Sequence, residues 1–318
     1  MALTKEYLLA LKSLKGIGTK KLLKIGNHIL DSGIEEISPH VLVSLLEDLK
    51  IKVEQENVTI EQLNTALVNA RHSIALHERN GINITTYYDD DFPESLRNTV
   101  NEDGKLDPPM VLYYKGDLSI TRMPGLAVIG TREITDFGEK AGLFLSREFA
   151  KRGFCIVSGL AIGCDAVGHK GALEVGGKTI AVMASGLDTI YPQENTCLAQ
   201  KIVDNGGLLI SENPIGIGFA TFNLVARDRL QAGIALATLV IQTGEEGGTM
   251  HAANATLQAQ KPLFVLKFKY QNQNEHEKSL GNALLAKKGA KYISGGDDLD
   301  SISQYLLNYH KPKMTLFN

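Results

Sequence analysis

Six short apolar runs after residue 125 constrain this chain's fold more than any other feature. They are residues 126–129, 154–157, 179–183, 208–210, 237–241 and 263–266. Each is rich in Val, Ile, Leu or Ala, and none alternates with polar residues. A strand with one face in water alternates, whereas a strand buried on both faces does not. Helical patterns separate most of the runs, as in GEKAGLFLSREFAKRG and ENTCLAQKIVDNGG. Strands alternating with helices form right-handed βαβ units and a parallel sheet. The expected fold class is α/β, an extended Rossmann-like parallel sheet flanked by helices. The C-terminal ends of its strands then share one edge, which is where open parallel sheets bind ligands.

The chain before that region has a different texture. Leu8, Leu9, Leu11, Leu14, Leu22, Leu23, Ile25, Ile29 and Leu30 recur at helical spacing, and residues 58–76 repeat the pattern. Thr59 with Gln62 three residues on has the form of a capping box. Residues 1–82 are therefore expected to form a small all-helical domain, and 83–318 the Rossmann-like core. Within the helical part, LKGIGTKKLLKI has the form of a helix-hairpin-helix, whose tight turn can offer backbone N–H groups to a phosphate. A plain glycine turn between two helices reads the same way. Residues 83–120 read as a connecting segment with a strand-like run at 111–114. The acidic run Asp89, Asp90, Asp91 reads as a solvated turn or cap.

Composition limits what such a fold can do. No apolar run approaches the roughly 18 residues of a membrane-spanning helix, and the N-terminus lacks the small-residue cleavage site of a signal peptide. The spacing of Cys155, Cys164 and Cys197 fits neither a zinc site nor a redox pair, and Cys155 lies in a core-like run. A reduced, cytoplasmic protein with no membrane attachment and no cofactor is expected. The net charge of −3 argues mildly against strong nonspecific DNA binding. The acid is concentrated early: residues 1–120 hold 13 Lys and Arg against 18 Asp and Glu, and the remainder 20 against 18. A local basic site in the core domain therefore remains open.

The loops at the sheet edge carry the candidate site. After the first run, Gly130 permits a tight turn, and Arg132 can meet a phosphate with its planar fork or pair with a nearby carboxylate. After the second, Ser158, Gly159 and Gly163 let backbone approach an anion. Asp165 reads as a helix N-cap, and His169 lies four residues on along the same face. With no third metal ligand apparent, these two read as a structural pair. Gly186 marks the third turn, and Tyr191 reads as packing. The fourth loop contains Phe219, Phe222, Asn223, Arg227 and Arg229, a mixture of rings and cations that suits single-stranded nucleic acid. Gly247, Gly248 and Thr249 open a further helix. Neither GxGxxG nor GKS/T occurs at these loops, which disfavours dinucleotide and Walker-type ATP binding. Several anion-ready loops on one edge suggest a polyanion.

The segments PPMVLYYKGDL, AVIGTREITDFG, IVSGLAIGCDAVGHKGAL, TIAVMASGLDTIYPQEN, LLISENPIG, FNLVARDRLQAG and GGTMHAANAT resemble the DNA-processing protein A (DprA, or Smf) family in order and spacing. The resemblance spans about residues 87–267, and LKGIGTKKLL fits that family's small helical domain. It implies single-stranded DNA binding, loading of a RecA-type recombinase, homodimerisation, and a role in transformation or recombination. It places Arg132, the loop from Ser158 to Gly163, and the later Arg227 and Arg229 in the DNA pocket. Three departures stand out. Asp228 replaces an Asn common in the family, the preceding loop IGIGFATFN has less proline and arginine, and no winged-helix-like domain is expected after SISQYLLNYHKP.

An alternative reading is a LOG-like nucleotide-binding protein, either a phosphoribohydrolase or a nucleotide sensor. Those hydrolases use a PGGxGTxxE motif. EEGGTMHAANAT has the GGT without the proline or the following carboxylate, so general acid–base cleavage of an N-glycosidic bond lacks its acid. No catalytic residue is expected.

Overall fold

A computed structural model of the chain describes residues 3–34, 36–101, 103–295 and 299–310. The chain divides into two compact units, Met1–Phe92 with Asp107–Tyr114, and Pro93–Leu106 with Lys115–Asn318. The division expected at residue 82 falls inside the first unit, between its last helix and its first four-residue strand.

The first unit is built from α1 (Lys5–Ser13), α2 (Thr19–Asp31), α3 (Pro39–Asp48), the two-residue strands β1 (Lys52–Val53) and β2 (Glu56–Asn57), and α4 (Ile60–Arg79). The α4 capping box is present: Gln62 N donates to Thr59 Oγ1 at 3.1 Å, and Thr59 N donates to Gln62 Oε1 at 2.9 Å. Two of the orphan donors at the helix start are thereby satisfied. In the α1–α2 turn, Gly18 caps α2 and Lys20 is exposed. Lys21 Nζ is bonded to Lys52 O, and Lys24 Nζ to Leu49 O.

β3 (Asn83–Thr86) then pairs antiparallel with β4 (Val111–Gly116). The expectation of a mere connector at 83–86 is corrected here. Ile84, Thr85 and Thr86 are buried, and the two threonines conceal the strand from a search for apolar runs. The acidic run closes the following turn. Asp89 Oδ2 accepts from Thr86 N at 2.8 Å, and Asp91 Oδ1 accepts from Thr85 Oγ1 at 2.5 Å.

The second unit alternates strand and helix: β5 (Gly125–Ile129), α5 (Asp136–Lys151), β6 (Cys155–Ser158), α6 (Cys164–Glu174), β7 (Thr179–Val182), α7 (Thr196–Asp204), β8 (Leu208–Ser211), α8 (Thr221–Ile234), β9 (Ala235–Val240), α9 (Gly248–Gln258), β10 (Leu263–Leu266), α10 (Gln271–Asn274), α11 (Leu280–Lys287), β11 (Lys291–Ile293) and α12 (Leu299–His310). All six apolar runs form strands. β11 has no counterpart among them, because Lys291 and Tyr292 are exposed and only Ile293 is buried.

These strands pair in parallel in the order β11-β10-β9-β5-β6-β7-β8. The chain builds outward from β5 to β8, then returns to β5's other side with β9. The order thus reverses between β5 and β9, the kind of crevice where such sheets bind ligands. Apolar side chains cover both faces. Leu126, Val128, Ile156 and Leu239 pack with Phe149 of α5 and Leu306 of α12. Ile129, Val240 and Val265 pack with Ala252 of α9 and Leu285 of α11. Cys155 is buried, and burial pushes its thiol up to about 12. Among the described residues no helix is long and apolar enough to cross a membrane.

Candidate nucleic-acid interface

The reversal point is held by two buried amides. Thr131 N, in the loop after β5, donates to Gln242 O at 2.7 Å. The Gln242 side chain accepts from Thr135 N and Oγ1 and donates to Ser279 Oγ at 3.0 Å. Asn282 Oδ1 accepts from Thr243 N at 3.0 Å, while its Nδ2 donates to Ile241 O and Leu266 O. These bonds tie the loops after β5, β9 and β10 together, so the crevice walls are preorganised. Between them lies a cavity of about 500 Å³. Gly130 and Arg132 line it from the β5 loop, and Gly247, Gly248 and Thr249 from the start of α9. Arg227, Asp228 and Gln231 of α8 line it too, with His251 and Lys278. A pocket of this size takes a ligand as large as a nucleotide.

The loop after β6 forms one wall. Gly163 has φ +79°, and a Cβ there would stand 2.4 Å from Thr131 O, so only glycine lets this loop meet the β5 loop. Gly163, not Asp165, is the N-cap residue of α6. Asp165 lies in the first turn and reaches back to the loop, accepting from Gly159 N at 3.1 Å and Ala161 N at 3.3 Å. It is buried, and the burial raises its carboxyl above the usual range while the charge of Arg227 opposes the rise. Arg227 is itself buried. Its Nη1 donates to Val182 O at 2.8 Å and its Nε to Asp228 Oδ1 at 3.2 Å. Burial pushes Asp228 up to about 6, with Arg227 again opposing.

The other expected residues occupy different settings. Arg132 is exposed, and no side chain among the described residues pairs with it. Ser158 is buried and its hydroxyl donates to Val128 O at 2.6 Å. His169 lies on the fully buried side of α6 and makes its contact with Thr179 Oγ1 at 2.7 Å, not with Asp165. The expected Asp165–His169 pair is therefore replaced by separate partners. Gly186 lies against Pro214 O, and its N–H donates to Ile217 O. Arg229 is turned to Glu212 in a two-pronged ion pair, at 2.5 Å and 2.9 Å. Asn223 is buried, and Phe222 is 74% exposed. Among the described residues no group of three or more His, Cys, Asp or Glu is placed to hold a metal ion.

A smaller cavity of about 70 Å³ shares Arg132, Ala161, Leu224 and Arg227 with the larger one. Its further lining includes Tyr191 and Phe219, whose rings stack with centroids 4.1 Å apart while both stay substantially exposed. Tyr191, expected only to pack, thus presents a ring at the surface beside Arg132. One exposed cation, one exposed ring pair and one helix N-terminus therefore converge on the strand ends.

Comparison with known proteins matches residues 83–304 to the family described as DNA recombination-mediator protein A. The chain belongs to this family. Protein Smf of Synechocystis is 32% identical over 298 residues, covering 92% of this chain and 71% of that one. DNA processing protein DprA of Bacillus subtilis is 28% identical over 284 residues, covering 89% and 90%. The X-ray structure of DprA from Streptococcus pneumoniae has a TM-score of 0.74 at 25% identity, covering 94% and 98%. A solved structure of DNA processing protein A from Helicobacter pylori, described for its unique single-stranded DNA binding mode, has a TM-score of 0.59 at 31% identity, covering 71% and 96%.

In this DprA-family chain, sequence reasoning missed Gln242, Asn282 and Lys278. Gln242 carries a signal, since it is a polar residue directly after a buried apolar run. Asn282 and Lys278 lie in and before α11, distant in sequence from every glycine loop. Lys278 lines the larger cavity and is ion-paired with Glu133, which holds its ammonium above the usual range.

Proposed function

We propose that this family member binds single-stranded DNA along the C-terminal edge of the parallel sheet and acts in DNA processing during transformation or recombination. The observation that carries the proposal is Arg132, an exposed guanidinium without a protein partner among the described residues, lining both cavities. Such a group is free to hold a phosphate by two parallel hydrogen bonds. The Tyr191–Phe219 pair offers an aromatic surface to bases, which stack without regard to sequence. The start of α9, opened by Gly247, adds backbone N–H groups and the favourable end of a helix dipole. The single-stranded DNA binding described for the Helicobacter pylori relative supports the same reading.

The proposal includes loading of a RecA-type recombinase onto the bound strand and self-association as a homodimer, the roles that the family resemblance implies. It includes no covalent step. A LOG-type hydrolase needs a carboxylate just after the GGT sequence, and α9 has no acidic residue in its first turn.

The test is binding to oligo-dT, duplex DNA and a panel of nucleotides at two salt concentrations. Salt-sensitive binding to oligo-dT, weakened by Arg132→Ala, is the expected result. Saturable nucleotide binding with no oligo-dT affinity would overturn the proposal, and release of free base from a nucleoside monophosphate would establish the hydrolase instead.

A further inference from the structure

The larger cavity offers an unpaired cation only at its exposed side, among the described residues. At its exposed side stand Arg132, the Lys278–Glu133 ion pair, Glu246 and the first residues of α9, so that Arg132 is the cation there without a carboxylate partner among the described residues. At its buried side stand Asp228 and Asp165, both less than a tenth exposed. The only guanidinium on that side among the described residues, Arg227, is committed to Val182 O and Asp228. A phosphate drawn to Arg132 therefore meets repulsion from carboxylates as it goes deeper. The anion belongs at the rim, and the buried side suits a group that donates hydrogen bonds.

Resting on the single-stranded DNA reading above, we propose that this cavity seats one base of the bound strand and selects, through Asp228, a base that presents an amino group. Asp228 Oδ1 already accepts from Arg227 Nε and from Gln231 Nε2 at 3.3 Å. Its position on the cavity wall leaves the carboxylate as the acceptor that a base edge meets. An exocyclic amine, such as the 4-amino group of cytosine, donates to a carboxylate, which is how acidic side chains read that base. Uracil and thymine turn a carbonyl oxygen to the same place. Acceptor then faces acceptor, and both lose water without gaining a partner. The glycine loops supply close approach to the backbone of the strand, while Asp228 supplies discrimination that a phosphate grip lacks.

The test compares oligo-dC with oligo-dU of equal length as competitors for a fluorescent oligo-dT bound to the full chain, at about pH 8, where Asp228 is ionised. Cytosine and uracil differ in the group at issue and not in the methyl of thymine. Oligo-dC is expected to compete about tenfold better, the worth of one hydrogen bond to a charged group. In Asp228→Asn the ratio should fall toward one, because the amide can donate to the uracil carbonyl as readily as it accepts from cytosine. A cooperative urea transition checks that this variant is folded. Equal competition by oligo-dC and oligo-dU in the unaltered protein overturns the inference and leaves the DNA-binding proposal standing. A ratio that survives in Asp228→Asn overturns the role of Asp228. Failure to bind any of the oligonucleotides overturns the DNA-binding reading itself.

Discussion

A Cβ on Gly159 would stand 1.7 Å from Nη1 of Arg227 and 2.4 Å from its Cζ. The absence of a side chain at 159 is what lets an arginine of α8 lie against the turn after β6. That guanidinium is not free to swing aside, since its bonds to Val182 O and Asp228 hold it in the buried cluster. Gly159→Ala is expected to destabilise the fold by about 1–3 kcal/mol, the usual effect of overpacking. It should also weaken oligo-dT binding, because Arg227 lines both cavities. Urea midpoints and a binding isotherm measure the two effects. A variant with unchanged stability and affinity would show that the close contact does not matter.

Arg132 and Arg229 should separate cleanly. Arg132→Ala removes an exposed cation with no protein partner among the described residues, so stability should change by less than about 0.5 kcal/mol. Its oligo-dT affinity should fall, with the slope of log K against log salt reduced by about one. Arg229→Ala breaks the two-pronged pair with Glu212, whose partners are largely buried. It should cost stability and leave affinity nearly unchanged. The reverse pattern would place the strand on the Arg229 side of α8.

That contrast marks how much was legible beforehand. The six buried strands were readable because burial on both faces forces unbroken apolar runs, and the loops at their ends follow from that topology. The direction a side chain takes off a helix was not readable. Arg227 and Arg229 are two residues apart, and side chains at that spacing point to different sides of a helix. Only the packed helix shows that one reaches the cavity and the other Glu212. His169 was misplaced for a related reason. Its i, i+4 spacing from Asp165 suggested a pair, but α6 turns His169 into the core toward Thr179. β3 stayed hidden because threonines fill its buried positions, and Gln242 and Asn282 because their work is done through contacts remote in sequence.

The stacked rings of Tyr191 and Phe219 give a third expectation. If bases stack there, Phe219→Ala and Tyr191→Ala should each cost about 1–3 kcal/mol of oligo-dT binding with little change in salt slope, since no charge is removed. The chain has no tryptophan. Its ultraviolet emission therefore comes from tyrosine, and binding should quench a fraction of it that Tyr191→Ala no longer shows. Unchanged affinity in both variants would leave the aromatic pair as surface packing alone.

His169 supplies the pH dependence. Thr179 Oγ1 donates its proton to Ile156 O at 2.7 Å, so the His169 Nδ1–H donates to Thr179. The other nitrogen, Nε2, is buried without a partner among the described residues and stays unprotonated. Burial, aided by the charge of Arg227, pushes the imidazole down to about 3 from the ordinary 6.5. In that interval the unfolded chain binds a proton that the folded chain refuses, so the His169 contribution to stability falls as pH drops below about 6.5, by up to about 1.4 kcal/mol per unit, while the raised carboxyls of Asp228 and Asp165 act in the opposite direction. His169→Leu, similar in volume, removes this contribution alone, so the stability of the variant relative to the unaltered chain should rise as pH falls below about 6.5. Near neutral pH it should differ by less than about 1.5 kcal/mol. Oligo-dT affinity should be unchanged, since His169 lines neither cavity. Urea unfolding from pH 4 to 8 measures the slope. A variant whose stability kept a constant difference from the unaltered chain across that range, or that lost DNA binding while remaining folded, would contradict this assignment.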